Sequence, residues 1–218
     1  MSDPSPRYVV AVDVGQSNDY TAVVILHSYR LSASRGAHRH HDVVHLERFR
    51  EISYPDQVRR IGERYRELVQ HAKGAHRDAN VRLVVDATGV GKPILDLARE
   101  QGLRPNGVII TGGETSSHER GIDRVPKREL VTTLQVALQA KRLRIAEDLP
   151  LAELLLKEFR GFRVKISLTG HASFGNDVGS WREADHDDLV LATALGVWTL
   201  ENRKTASVAD LRRATGLA

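Results

Sequence analysis

Apolar residues fill positions 8–12 and 22–26 almost without interruption, and each run has the length of a strand rather than of a helix. Gly15 to Asp19 separates them. Residues 7–14 and 20–27 are therefore expected to form a β-hairpin around a five-residue turn, with Asn18 and Asp19 supplying the turn chemistry. Residues 28–41 are polar and rich in His and Arg, which predicts a long exposed turn before a third strand over 42–50. From Tyr54 to Lys73 the pattern changes period. Val58, Ile61, Tyr65, Leu68, Val69 and Ala72 fall on one helical face, and Pro55 suits the first turn.

A strand follows over 81–86, then a glycine-rich turn and a helix from Pro93 to Gln101. Val108 to Thr111 reads as a strand, Gly112 to Arg124 as a loop, and Lys127 to Ala140 as a long helix. Leu143 to Ile145 is a short strand, Leu149 to Phe159 a helix, and Arg163 to Leu168 a further strand. A stretch rich in Gly, Ser and Asn, Thr169 to Gly179, precedes a helix over 186–201. Three early strands followed by alternating helices and strands imply an α/β fold, a mixed sheet with helices on both faces. Without repeats, low-complexity segments or a convincing linker, residues 1–218 are expected to form a single domain, with its core at about 7–201 and a peripheral tail over 202–218.

Composition narrows the chemistry. No apolar run approaches the roughly 20 residues of a membrane span, and the N-terminus lacks the basic and apolar regions of a signal peptide. Zero cysteines remove disulfides, thiolate metal sites and cysteine nucleophiles, and agree with an intracellular home. Any metal must then sit on oxygen or imidazole ligands. The net charge of +4 is a weak pointer to a polyanionic partner, but the cations cluster. Arg30, Arg35 and Arg39 crowd one segment, Arg59, Arg60, Arg64 and Arg66 another, and Arg160, Arg163 and Lys165 a third. Solvated faces explain each cluster equally well unless a carboxylate centre lies nearby.

Three acidic positions supply such a centre. Asp13 ends the first apolar run, with Asp19 six residues on; Asp86 ends the run that begins at Val81; and Asp185, Asp187 and Asp188 open the last helical stretch. A carboxylate that closes a β-branched run lies at the edge of a core, where it needs a partner or a metal. An Asp at a helix start can also be a simple cap, so the argument rests on the set. Carboxylates and water are hard ligands suited to Mg²⁺ or Mn²⁺, and two such ions about 4 Å apart are what phosphodiester hydrolysis needs. His186 reads better as an exposed helix cap than as a ligand. His38 to His41 reads as a surface loop. Ser116 to His118 lacks the context of a nucleophile, and Asp42 and Asp123 need no special role.

The motifs resemble a known family. Asp13 to Ala22, Asp86 to Gly91, Val125 to Lys127 ahead of a helix, and His186 to Leu189 look like the nuclease domain of tailed-phage terminase large subunits, in the family's order and across about residues 8–201. That resemblance implies an RNase H-like (RuvC-like) fold and an endonuclease that cuts concatemeric viral DNA during packaging, with low sequence specificity. It implies two divalent ions, Mg²⁺ or Mn²⁺, on Asp13, Asp86, Asp187 and Asp188, with Asp19 in support, and leaves open which of Asp187 and Asp188 is the closer ligand. Lys127, Arg128, Arg160, Arg163 and Lys165 become candidate DNA contacts, and the stretch 169–179 lies where the family carries a hairpin beside DNA. The implied partners are double-stranded DNA, a packaging ATPase motor, and the portal and small terminase components. The implied place is the cytoplasm of a bacterial host, for a phage or prophage product.

The chain also departs from the family, because its first nuclease strand begins almost at residue 1 with no packaging ATPase ahead of it. The chain is expected to be either an excised domain or a product of a split gene. The glycine-rich turn is no phosphate loop: Gly91 and Lys92 are followed by Pro93, and Asp86 stands where the first Gly belongs. Three other readings compete. A junction resolvase of the same fold would need branched DNA. An actin-like ATPase lobe would need a second lobe and would have no use for the acidic helix start. A non-catalytic docking module need not keep every carboxylate.

Overall fold

The computed structural model describes residues 7–15, 19–31, 38–89, 91–119, 121–168 and 187–202, with the backbone alone over 162–168. The stretch 169–179, Asp185, His186 and the tail beyond Asn202 lie outside the described residues. The first apolar run becomes β1 (Arg7–Asp13) and the second β2 (Thr21–Arg30), an antiparallel hairpin in which Asp13 faces Ala22. β3 (Arg39–Phe49) adds antiparallel to β2, with Ala22 opposite Arg48. β4 (Asn80–Asp86) runs parallel to β1 on its other side, and β5 (Asn106–Thr111) runs parallel to β4. Among the described residues, β6 (Ser117–Glu119), β7 (Ile122–Pro126) and β8 (Leu143–Ile145) complete an eight-stranded sheet in the order β6-β7-β5-β4-β1-β2-β3-β8. It is the expected mixed sheet.

Strand alternation sends side chains to two cores. Val10, Val12, Ile25, Leu83 and Val85 pack under α1 (Tyr54–Ala75) and α2 (Gly91–Glu100). Ser53 caps α1, accepting a hydrogen bond from the Asp56 amide at 3.3 Å. Val9, Ala11, Val24, Leu26 and Val84 pack on the other face under α3 (Lys127–Gln139), α4 (Ala152–Leu168) and α5 (Asp188–Asn202). Every residue of α5 from Leu189 to Leu200 is buried, as befits a helix apolar on all sides. Gly196 lets it lie directly on the sheet. A Cβ there would overlap Leu26 and stand 3.2 Å from that of Ala11.

Three expectations need correction. Residues 28–41 are not all exposed turn, because β2 reaches Arg30 and β3 begins at Arg39. Polar residues enter the strands there with their partners: Arg39 Nε donates to Ser28 Oγ at 2.9 Å, and the fully buried His41 faces Glu201 Oε1 at 2.9 Å. His41 is thus core, not surface loop. The stretch 112–124 contains β6 and most of β7, with Asp123 only 7% exposed within the latter. Finally, Arg163 to Leu168 continues α4 and is not a strand. The alternation of Val164, Ile166 and Leu168 mimics a period of two, and Gly161 does not end the helix.

The contact at His41 ties the far end of α5 to β3, and Arg142 joins it by donating to the same Glu201 oxygen and to the Arg39 carbonyl at 3.0 Å. Burial alone would raise the Glu201 carboxyl, but hydrogen bonds from His41 and Arg142 outweigh it and hold the group at about 2, against an ordinary 4.5. A depressed carboxyl stabilises the fold above its unfolded value, and that stability is lost as pH falls through the folded value. Glu201→Gln is therefore expected to be less stable than the wild type at pH 7, by about 1 kcal/mol once solvent screening of this part-exposed group is allowed for. Urea denaturation across pH should show the gap narrowing from pH 4.5 towards 2. A gap of constant size would contradict the pairing.

Candidate metal centre

β1, β4, β5 and β7 run parallel, so their C-terminal ends share one edge of the sheet. Asp13 and Asp86 end β1 and β4 there. The register pairs Val12 with Val85, so these two carboxylates follow on neighbouring strands, roughly 5 Å apart at the backbone. Both continue the alternation of Val9, Ala11 and Val84, which places them on the α5 side. Asp86 is 6% exposed, and its Oδ1 accepts from the Thr88 amide at 2.8 Å, while Thr88 Oγ1 accepts from the Ile110 amide at 2.9 Å. The turn is tight: a Cβ on Gly91 would overlap the Asp86 carbonyl. At the end of β1, the Gly15 amide donates to Thr21 Oγ1 at 3.0 Å, and Thr21 donates on to Gln57 at 2.9 Å. Each turn thus pins the strand end that carries its aspartate.

The third set arrives with α5. The Asp187 carbonyl accepts from the Leu191 amide at 2.9 Å, which puts Asp187 at the cap and Asp188 in the first turn, where the helix dipole favours anions. Asp187 is 5% exposed. Asp13, Ala22 and Arg48 occupy one rung across β1, β2 and β3, and Arg48 reaches from it to Asp188 Oδ2 at 2.8 Å. The start of α5 therefore lies over the same edge as Asp13 and Asp86.

Two charged residues absent from the sequence reading complete the surroundings. Arg48 has a side chain 9% exposed, stacks 3.7 Å above the Tyr20 ring and stands 3.8 Å from Glu158 Oε1. Glu158, on α4, is 6% exposed, and its Oε2 accepts from the Val190 amide at 3.1 Å. Burial pushes the Glu158 carboxyl up to about 7; Asp188 and Asp187 push the same way, against the Val190 amide and Arg48. Both residues left a trace in the sequence. Arg48 falls on the strand face of Leu46, and Glu158 interrupts the helical stripe of Ala152, Leu155 and Phe159. A charge on an apolar face is a signal in itself.

The other candidates scatter. Asp19 is exposed in the turn after β1. Lys127 and Arg128 open α3 just past β7, at the carboxylate edge, with Arg128 exposed. Arg160 is exposed on α4 two residues past Glu158, while Arg163 and Lys165 belong to the part of α4 described by backbone alone. Among the described residues, no three acidic or histidine side chains form a ready-made cation cage. The donor set still suits a hard divalent ion. Asp13 and Asp86 end neighbouring strands, Asp86 and Asp187 are almost fully buried, and Asp188 and Asp187 add to the burial that raises the Glu158 carboxyl.

A raised carboxyl has the opposite linkage to Glu201. Its contribution is fully present below the ordinary 4.5 and is lost as pH rises through about 7. In EDTA, Glu158→Gln should therefore gain on the wild type between pH 4.5 and 7.5, on the order of 2 kcal/mol. Thermal melts of both proteins across that range test it. A difference that does not change with pH would place the Glu158 carboxyl in its ordinary range.

No protein-family profile matches the sequence, and no curated protein matches it. Solved structures do. The large terminase nuclease from thermophilic phage G20c aligns with a TM-score of 0.50 at 19% identity, over 92% of this chain and 85% of that one. The Mn-soaked, inhibitor-bound human cytomegalovirus terminase nuclease domain aligns with a TM-score of 0.51 at 14% identity, over 89% and 83%. The Mn-soaked domain without inhibitor gives 0.50 at the same identity and coverage. With its eight-stranded mixed sheet between two helical layers, the chain has the RNase H-like fold of terminase large-subunit nuclease domains.

Proposed function

We propose that this chain is a metal-dependent DNA endonuclease that cuts concatemeric viral DNA during genome packaging. The observation that carries the reading is the meeting of Asp13, Asp86 and the acidic start of α5 at one sheet edge, in a fold shared with terminase nucleases. Asp13, Asp86, Asp187 and Asp188 would hold two divalent ions, Mg²⁺ or Mn²⁺, with Asp19 in support; the cytomegalovirus domain was soaked with Mn. Bound there, such ions supply Lewis acidity to a water and to the leaving 3′ oxygen.

The chain's own part is to bind and orient. Lys127 and Arg128 at the same edge, with Arg160, Arg163 and Lys165 along α4, would hold backbone phosphates and leave the bases unread, so cutting has little sequence preference. Such contacts weaken steeply with salt. Asp86 is held by the Thr88 amide, and the bond from the Gly15 amide to Thr21 fixes the backbone just past Asp13. The substrate is double-stranded DNA delivered by a packaging ATPase motor with portal and small terminase components, and the work takes place in the cytoplasm of the bacterial host. No helix among the described residues is long and apolar enough to cross a membrane.

Plasmid cleavage in Mn²⁺, Mg²⁺ or EDTA tests the reading. The wild type should nick or linearise DNA only with metal, and both Asp86→Ala and the double variant Asp187→Ala/Asp188→Ala should lose at least about a hundredfold of that activity. Cleavage surviving both substitutions would move the site elsewhere. A folded protein that binds DNA but cuts in no metal would make the chain a docking module.

A further inference from the structure

We propose that Arg48 is the positioning residue of the carboxylate centre: clamped between the Tyr20 ring and Glu158, it sets the orientation in which Asp188 presents its carboxylate. The inference rests on the reading of Asp187 and Asp188 as metal-holding groups.

Three elements converge on this one side chain. β3 supplies its backbone, the turn before β2 supplies the ring 3.7 Å beneath the guanidinium, and α4 supplies Glu158 at 3.8 Å. The remaining contact is the 2.8 Å bond from Nη2 to Asp188 Oδ2. Arg48 Nη2 draws Oδ2 towards β3, across the rung that holds Asp13, while Nη1 faces Glu158. Arginine suits this task better than lysine, because a planar fork fixes a carboxylate in direction as well as in distance.

Glu158 closes the arrangement. One of its oxygens accepts from the Val190 amide at 3.1 Å, in the turn that carries Asp188, and the other faces Arg48. The backbone of that turn and the side chain of Asp188 are thereby referred to one frame built from α4 and β3. Stability alone explains the arrangement poorly. Among the described residues, neither Arg48 Nε nor Glu158 Oε1 has a hydrogen-bond partner, and packed apolar residues would avoid that cost. A residue that orients a metal-holding carboxylate typically affects metal affinity tenfold or more.

Mn²⁺ binding followed by electron paramagnetic resonance separates this role from a merely structural one. Arg48→Gln should bind Mn²⁺ about tenfold more weakly than the wild type. Arg48→Lys, which keeps the charge without the fork, should fall between them, and the Mn²⁺ concentration for half-maximal plasmid cleavage should rise in the same order. If Arg48→Gln does not fold, Arg48→Lys carries the comparison, with weakening of about threefold expected. Wild-type Mn²⁺ affinity in the folded variants, whatever their melting temperature, would overturn the inference. A wild type that binds no Mn²⁺, or that loses none of it in Asp86→Ala, would instead overturn the metal centre itself, and this inference with it.

Discussion

The burial of α5 governs the rest of the molecule. From Leu189 to Leu200 this helix is apolar on every side, and nothing but a position between the sheet and the helices α3 and α4 takes all of it out of water. Gly196 removes the side chain that would hold it off Leu26 and Ala11. At its far end His41, Arg142 and Glu201 fix it to β3. A helix so constrained has little freedom to slide. Its N-terminus must therefore emerge at the edge where β1 and β4 end, and the carboxylates of Asp187 and Asp188 arrive with it.

Gathering like charges at that edge works against folding. The backbone offsets part of the cost, through the helix N-terminus beneath Asp188 and the Thr88 amide on Asp86. Arg48 offsets more, as a buried cation among acids. Beside them the Glu158 carboxyl is pushed up to about 7, by burial first and by Asp188 and Asp187 in addition. An arrangement that costs stability in the absence of ligand is characteristic of a functional centre. A divalent ion would relieve the same repulsion that the fold imposes.

Much of this was legible in the sequence because it follows from local periodicity. The short, almost uninterrupted apolar runs ending at Asp13 and Asp86 form β1 and β4, and the apolar stretch after Asp188 forms α5. The short strand Leu143 to Ile145 was equally plain. That Asp13 and Asp86 close strands could be anticipated from the apolar runs before them, but the register that aligns Asp13, Ala22 and Arg48 is a property of pairing between distant segments. Arg48 and Glu158 were missed for that reason, since each acquires meaning only when β3 and α4 meet α5. β6 was hidden by its three exposed residues, and β7 by Asp123 in its midst. The end of α4 was misread because a two-residue alternation within a short segment fits a strand as well as a helix. His41 reads as loop in the sequence because nothing local reveals Glu201 across the fold.

The proposed function requires the edge shared by β1, β4 and α5 to be a divalent-cation centre. A crystal soaked in Mn²⁺ and measured at the manganese absorption edge tests it most directly. Anomalous density within bonding distance of the Asp13 and Asp86 carboxylates and of at least one of Asp187 and Asp188 is the expected result. Density confined to surface histidines such as His38 or His40, with the four aspartates bare in an ordered crystal, would contradict it.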